Sequence, residues 1–94
     1  MLPIGPKFAL GRLLVTGSAL KALEESGQSP IDFICRHVRG DYGEICREDK
    51  RLNEQALINE GRILSSYKTL KGAKIWIITE ADRSATTLLL PSEY

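Results

Sequence analysis

The chain has few cysteines, almost no charge imbalance and no long apolar run. Two cysteines, Cys35 and Cys46, are too few for a disulfide framework, so we expect reduced thiols and a cytoplasmic location. A formal net charge of +1 argues against the basic excess on which non-specific nucleic-acid binding depends. No stretch approaches the roughly 18 apolar residues of a membrane span, so no membrane association is expected.

The length of 94 residues predicts one domain with one modest core. Proline and glycine interrupt the apolar start of the chain, which therefore lacks the unbroken apolar run of a secretion signal. We predict a loose N-terminal segment over residues 1–11 and a single domain over residues 12–94. Residues 12–16 fit either a short strand or a lead-in that packs under a helix.

The clearest helix signal begins at Ser29. Ser29 suits the N-cap, Pro30 the first helical position and Asp32 the third, which together form a capping box, and Gly40 ends the helix. The predicted apolar stripe of this helix comprises Ile31, Ile34, Cys35 and Val38. Further helices are predicted over residues 18–26, capped by Ser18, and over residues 49–59.

From residue 62 onward the pattern is that of strands. Residues 63–68, 73–80 and 85–90 are rich in branched, aromatic and apolar side chains and are separated by short polar turns. Short connections favour antiparallel neighbours. We therefore predict an α+β fold in which two or three N-terminal helices pack on one face of a three- to four-stranded antiparallel sheet.

The register of the last hairpin predicts which sheet face is covered. If Glu80 lies opposite Ala85, one face is purely apolar and should receive the helices; it carries Ile75, Ile77, Leu88 and Leu90. The other face is the predicted binding surface, and it carries Lys74, Trp76, Ile78, Glu80, Thr87 and Leu89. A tryptophan with apolar neighbours and a charged rim is typical of an interaction hot spot, although a shifted register would place Trp76 in the core.

His37, the only histidine, supports an alternative. It could act as a general base with Arg62 and Arg83 holding a phosphate, as in metal-independent RNA cleavage. Either Tyr67 or Thr87 would assist. The order of helices before a sheet is similar to that of small toxin ribonucleases of the barnase and colicin type. The simpler interpretation is that His37 complements the negative end of its helix.

Metal and cofactor sites are poorly supported. Cys35, His37, Asp41 and Cys46 lack zinc-ligand spacing, since no pair of cysteines is separated by two residues. The chain also lacks a phosphate-binding glycine loop, a dinucleotide fingerprint and a metalloprotease helix. We expect neither a metal nor a cofactor.

Four sequence segments carry a family resemblance. They are RHVRGDYG, GRILSSY, IWIITEADRS and LLPSEY, spread over residues 36–94. With them the chain resembles a family of small bacterial proteins often met on plasmids and other mobile elements. The resemblance implies that setting and assigns no catalytic residue.

These observations favour a non-enzymatic accessory or interaction module that binds through the sheet face around Trp76. The expected partner is another protein or a second copy of the chain, with RNA as a further possibility.

Overall fold

The computed structural model describes residues 6–94 and shows an α+β domain of three helices and one mixed four-stranded sheet. In chain order the elements are β1 (Arg12–Val15), α1 (Gly17–Glu25), α2 (Pro30–Val38), α3 (Arg47–Asn59), β2 (Ile63–Lys68), β3 (Lys74–Thr79), β4 (Ala85–Leu89) and a short 3-10 turn (Pro91–Glu93). The strands lie in the order β1-β4-β3-β2. Residues 1–5 of the predicted loose segment lie outside the described part.

The prediction of a wholly antiparallel sheet is wrong for β1. This strand pairs parallel with β4, with Arg12 donating its N–H to the Ser84 carbonyl and Thr16 to that of Leu88, each at 3.0 Å. Short turns predicted the antiparallel pairs, but three helices and a hairpin separate β1 from β4. A connection of that length lets the two strands run in the same direction. The helices accordingly follow β1 rather than precede the whole sheet.

The predicted caps are partly right. Ser29 and Asp32 form the expected capping box at the start of α2, and Pro30 is its first residue. The prediction of Ser18 as the cap of α1 is wrong, because the Thr16 hydroxyl accepts the N–H of Ala19 at 3.1 Å. β1 therefore passes directly into α1 through a single capping residue.

The predicted apolar stripe of α2 is rotated. Phe33, Ile34 and His37 are the buried residues of this helix, whereas Ile31 is 53% exposed. The ring of Phe33 packs on that of Tyr67 in β2, with the centroids 5.2 Å apart. Burying the larger aromatic side chain removes more apolar surface from water, so it sets the orientation of the helix.

The register of β3 and β4 is confirmed. Ile78 lies opposite Thr87 and Trp76 opposite Leu89. The predicted apolar face packs against α1 and α2 in one core cluster of Ala19, Leu23, Phe33, Ile34, Tyr67, Ile75, Ile77 and Leu88, with Leu90 at its margin. The helices therefore cover the face that the alternation of apolar residues indicated.

The outer edge of β2 is covered by the side chain of Asn53 and by the loop that precedes α3. The Asn53 amide donates to the Leu64 carbonyl at 2.7 Å and accepts its N–H at 2.9 Å, as a neighbouring strand would. Farther along, Ser66 donates its N–H to Tyr42 and accepts that of Glu44. These bonds satisfy the backbone groups that an edge strand otherwise leaves open to other chains.

We expect Cys46→Ser to stabilise the domain by about 0.5–1 kcal/mol, because serine is a preferred helix N-cap. Cys46 caps α3, and its sulfur accepts the N–H of Asp49 at a long 3.4 Å. Urea unfolding measures the change. Cys35→Ser, a half-buried position on α2, is the control and should destabilise. A lower midpoint for Cys46→Ser would contradict the expectation.

Candidate functional site

A groove of about 220 Å³ opens on the sheet face opposite α1 and α2. Its lining comes from β2 and the residue before it, from β3 and from the chain end: Arg62, Leu64, Trp76, Ile78 and Tyr94. Leu64 lies opposite Ile78 in the β2–β3 pair, so both side chains project to the same face as Trp76. The groove is therefore an apolar recess on a sheet surface that the helices leave free.

Tyr94 and Arg62 form the wall of this groove. The Tyr94 ring meets the Trp76 indole edge to face, with the centroids 5.7 Å apart. Arg62 donates from Nη1 to the Tyr94 hydroxyl at 2.6 Å, and its guanidinium lies 5.4 Å from the centre of the Tyr94 ring. Glu80 Oε1 lies 3.7 Å from Arg62 Nε, a half-exposed ion pair of small energetic weight. These contacts hold the Tyr94 ring against the Trp76 indole.

The residues predicted for the binding face have unequal exposure. Ile78 and Leu89 are buried, Trp76, Glu80 and Thr87 are half-buried, and Lys74 is exposed at the end of β3. The accessible part of the face is thus centred on the indole. The floor is apolar, and the aromatic rim consists of the half-buried Trp76 and of Tyr94, which is 67% exposed.

Sequence reasoning did not place Tyr94 or Leu64 at this site. The signal for Leu64 was the register of β2 against β3, which the residues alone left ambiguous. Tyr94 carried a weaker signal, an aromatic side chain three residues after Pro91. The 3-10 turn beginning at Pro91 folds the chain end back across β3 and brings Tyr94 to Trp76.

His37 is fully buried on the helix side of the sheet. Its Nδ1 is hydrogen-bonded to the Ser65 hydroxyl, and its Nε2 lies 2.9 Å from the hydroxyl of Thr79. Thr79 in turn is 2.7 Å from the Thr86 hydroxyl, which donates to the Leu10 carbonyl at 2.7 Å. A chain of hydrogen bonds therefore crosses the core from β2 through α2 to β3, β4 and the N-terminal segment.

The order of donors in this chain shows which imidazole nitrogen must carry a proton. The Leu10 carbonyl can only accept, so Thr86 donates its one hydroxyl proton there, and Thr79 must donate to Thr86. Nε2 of His37 then donates to Thr79. Burial lowers the pKa of His37 from 6.5 to about 4, so the imidazole is neutral at pH 7 and its Nδ1 accepts from the Ser65 hydroxyl.

The other residues of the predicted catalytic set do not share a cleft with His37. Tyr67 is buried on the helix side, donates its hydroxyl to the Asp41 carbonyl at 2.6 Å, and has a pKa raised by burial. Arg83 donates to two carbonyls at the C-terminal end of α3, those of Gly61 at 2.6 Å and Ala56 at 2.9 Å. Arg62 lies on the opposite sheet face, against Tyr94.

The residues weighed as metal ligands are dispersed. Cys35 lies half-buried on α2, and Cys46 caps α3. Asp41 forms an ion pair with Arg36 at 2.7 Å, and the pKa of Asp41 is lowered by the hydrogen bond from that guanidinium. Within residues 6–94, no three histidine, cysteine or acidic side chains come close enough together to hold a metal ion.

The segments RHVRGDYG, GRILSSY, IWIITEADRS and LLPSEY meet at two places. His37, Ser65 and Thr79, from the first three segments, join in the buried hydrogen-bond chain. Arg62, Trp76 and Tyr94, from the last three, join at the groove. Comparisons with protein-family models, characterised proteins and solved structures found no match to this chain.

Over residues 6–94, no helix combines the length and apolar character needed to cross a membrane.

Proposed function

We propose that the protein is a small interaction module that binds a partner protein in the groove beside Trp76. The observation that carries this proposal is an accessible apolar recess of about 220 Å³ whose lining includes the packed aromatic rings of Trp76 and Tyr94. A recess of that size accommodates one large apolar side chain of a partner. Such anchor side chains in pockets supply most of the energy of many protein interfaces.

The composition of the rim favours a protein over a nucleic acid. Arg62 is engaged by Tyr94 and lies near Glu80, so it is not a free cation for a phosphate. The Tyr94 ring packs against the Trp76 indole with the centroids 5.7 Å apart, which leaves less of the indole open to base stacking. The net charge of +1 also provides little of the long-range attraction that nucleic-acid binding uses.

The setting that we propose follows from the family resemblance. Segments such as IWIITEADRS suggest an accessory protein of bacterial mobile elements. A partner would then be a protein encoded by the same element or by its host. The binding role itself is argued from the groove and does not depend on this setting.

Trp76→Ala is expected to weaken peptide binding by about 30-fold, equivalent to a hot-spot loss of about 2 kcal/mol. The ligands are peptides selected from a random displayed library against the wild-type protein, and isothermal titration measures their affinity. Because Trp76 is half-buried on the helix-free face, the variant should retain its fold, which circular dichroism checks.

Ile58→Ala is the matched control, since Ile58 is 83% exposed on α3 and does not line the groove. It should bind the same peptides with unchanged affinity. Equal affinity of wild type and Trp76→Ala would contradict the proposal, as would unfolding of Trp76→Ala. Tighter, Trp76-dependent binding of a uridine oligonucleotide would reassign the groove to RNA.

A further inference from the structure

One edge of the sheet is covered and the other is open in the part of the chain that the structure describes. The β2 edge is covered by Asn53 and the loop at Gly43, whereas β1 is the outer strand at the other edge. Its side chains Leu13, Leu14 and Val15 are 49%, 42% and 37% exposed. An apolar, exposed edge strand is a template for pairing with another strand.

The backbone N–H and C=O groups of β1 point alternately toward β4 and away from it. Arg12 and Thr16 donate their N–H groups to β4, and in a parallel pair every second residue of a strand bonds to the same neighbour. The N–H and C=O groups of Leu13 and Val15 therefore point away from β4. No fifth strand pairs with them in the part of the chain that the structure describes.

We propose that two copies of the chain pair antiparallel along β1, with Leu14 on the two-fold axis. Leu13 then lies opposite the second copy's Val15, and all the free groups of both strands form four hydrogen bonds. Registers that place Leu13 or Val15 opposite itself use only half of these groups. The edge is thus self-complementary in one register, as a two-fold interface requires.

Charge complementarity supports the same register. It places Arg12 opposite the second copy's Thr16, on the face that also carries Leu14. The Thr16 hydroxyl donates to Glu93 Oε1 at 2.7 Å, so a carboxylate lies beside the site that the arginine would reach. Two symmetric ion pairs would flank the axis, and no like charges would meet.

The helix side of β1 offers apolar contact for the same partner. A cavity of about 280 Å³ lies between β1 and α2, lined by Leu13, Val15, Ile31 and Ile34 among others. The paired strand would place its own Leu13 and Val15 along this cavity. Ile31, the α2 residue left 53% exposed in one chain, would then be covered.

Pairing along β1 would produce one continuous eight-stranded sheet with α1 and α2 of both copies on one side. Both Trp76 grooves would open on the other side, with the two β3 strands about 24 Å apart at a strand spacing of about 4.8 Å. The role of that pair of grooves rests on the proposed function, but the dimer itself does not. Failure of peptide binding at Trp76 would leave the dimer intact.

Sedimentation velocity is expected to show the mass of two chains for the wild-type protein. Leu14→Lys places two like charges at the axis and should weaken association at least about tenfold. Ile58→Lys, at a position 83% exposed on α3, which packs against the opposite edge strand β2, should leave the dimer unchanged. A single-chain mass for the wild type up to about 100 µM would overturn the proposal, and so would a dimer that tolerates Leu14→Lys.

Disulfide trapping tests the register in a Cys35→Ala, Cys46→Ser background. Leu14→Cys would face its own copy as a non-hydrogen-bonded antiparallel pair, with the Cα atoms about 4.5 Å apart, and should oxidise rapidly to a covalent dimer. Leu70→Cys, in the exposed β2–β3 turn, should not. Equal cross-linking of the two variants would overturn the register.

Discussion

Acidification from pH 7 to pH 4 is expected to lower the free energy of unfolding by about 3 kcal/mol through His37 alone. In the folded protein the pKa of His37 is lowered to about 4 from its ordinary 6.5. The unfolded chain therefore takes up a proton between these two values, whereas the folded chain does not. The contribution of His37 to stability is complete above pH 6.5 and is lost as the pH falls toward 4.

The single histidine makes this prediction simple to measure. The imidazole proton resonance, followed by NMR, should titrate with a midpoint near pH 4, and urea unfolding at several pH values should show the stability loss. His37→Gln is the control, because the side chain is uncharged at every pH. The difference in stability between wild type and this variant should shrink on acidification. A titration midpoint between 6 and 7 would contradict the buried neutral imidazole.

Gly43→Ala is expected to destabilise the domain by about 3 kcal/mol or more. Gly43 has φ +71°, and a Cβ there would lie 2.2 Å from the Ser66 carbonyl oxygen and 2.5 Å from the Tyr67 ring. The loop would have to move away from β2. Its hydrogen bonds with Ser66 would then be lost, in addition to the cost of a left-handed backbone conformation.

Gly27→Ala separates the two contributions. Gly27 has a similar φ of +67°, but a Cβ there meets no atom within 4 Å. Gly27→Ala should lower the free energy of unfolding by only about 1 kcal/mol, which is the cost of the left-handed backbone conformation alone. Chemical denaturation of both variants gives the comparison. Equal losses at the two positions would show that the loop at Gly43 does not need close contact with β2.

The hairpin of β3 and β4 could be predicted because its information is local. Alternating apolar residues and the polar turn around Asp82 place Trp76 and Ile75 on opposite faces, and the structure confirms that division. The capping box at Ser29 is equally local. In both cases, neighbouring residues along the chain determine the conformation.

The features that could not be predicted depend on contacts between distant segments. β1 pairs with a strand about 70 residues later, and four residues of sequence do not identify such a partner. The His37 imidazole is hydrogen-bonded to hydroxyls on two different strands. The residues next to His37 in the sequence do not indicate these partners, so its role could not be predicted. A buried polar partner could have been inferred from three hydroxyl residues on the core face of the sheet, because buried hydroxyls need internal hydrogen-bond partners. These residues are Ser65, Thr79 and Thr86.

The direct test of the binding proposal is the affinity of one selected peptide for three proteins: wild type, Trp76→Ala and Ile58→Ala. If the groove is the binding site, isothermal titration gives matching affinities for wild type and Ile58→Ala and about 30-fold weaker binding for a folded Trp76→Ala. Matching affinities for all three proteins would contradict the account and place the binding surface elsewhere on the molecule.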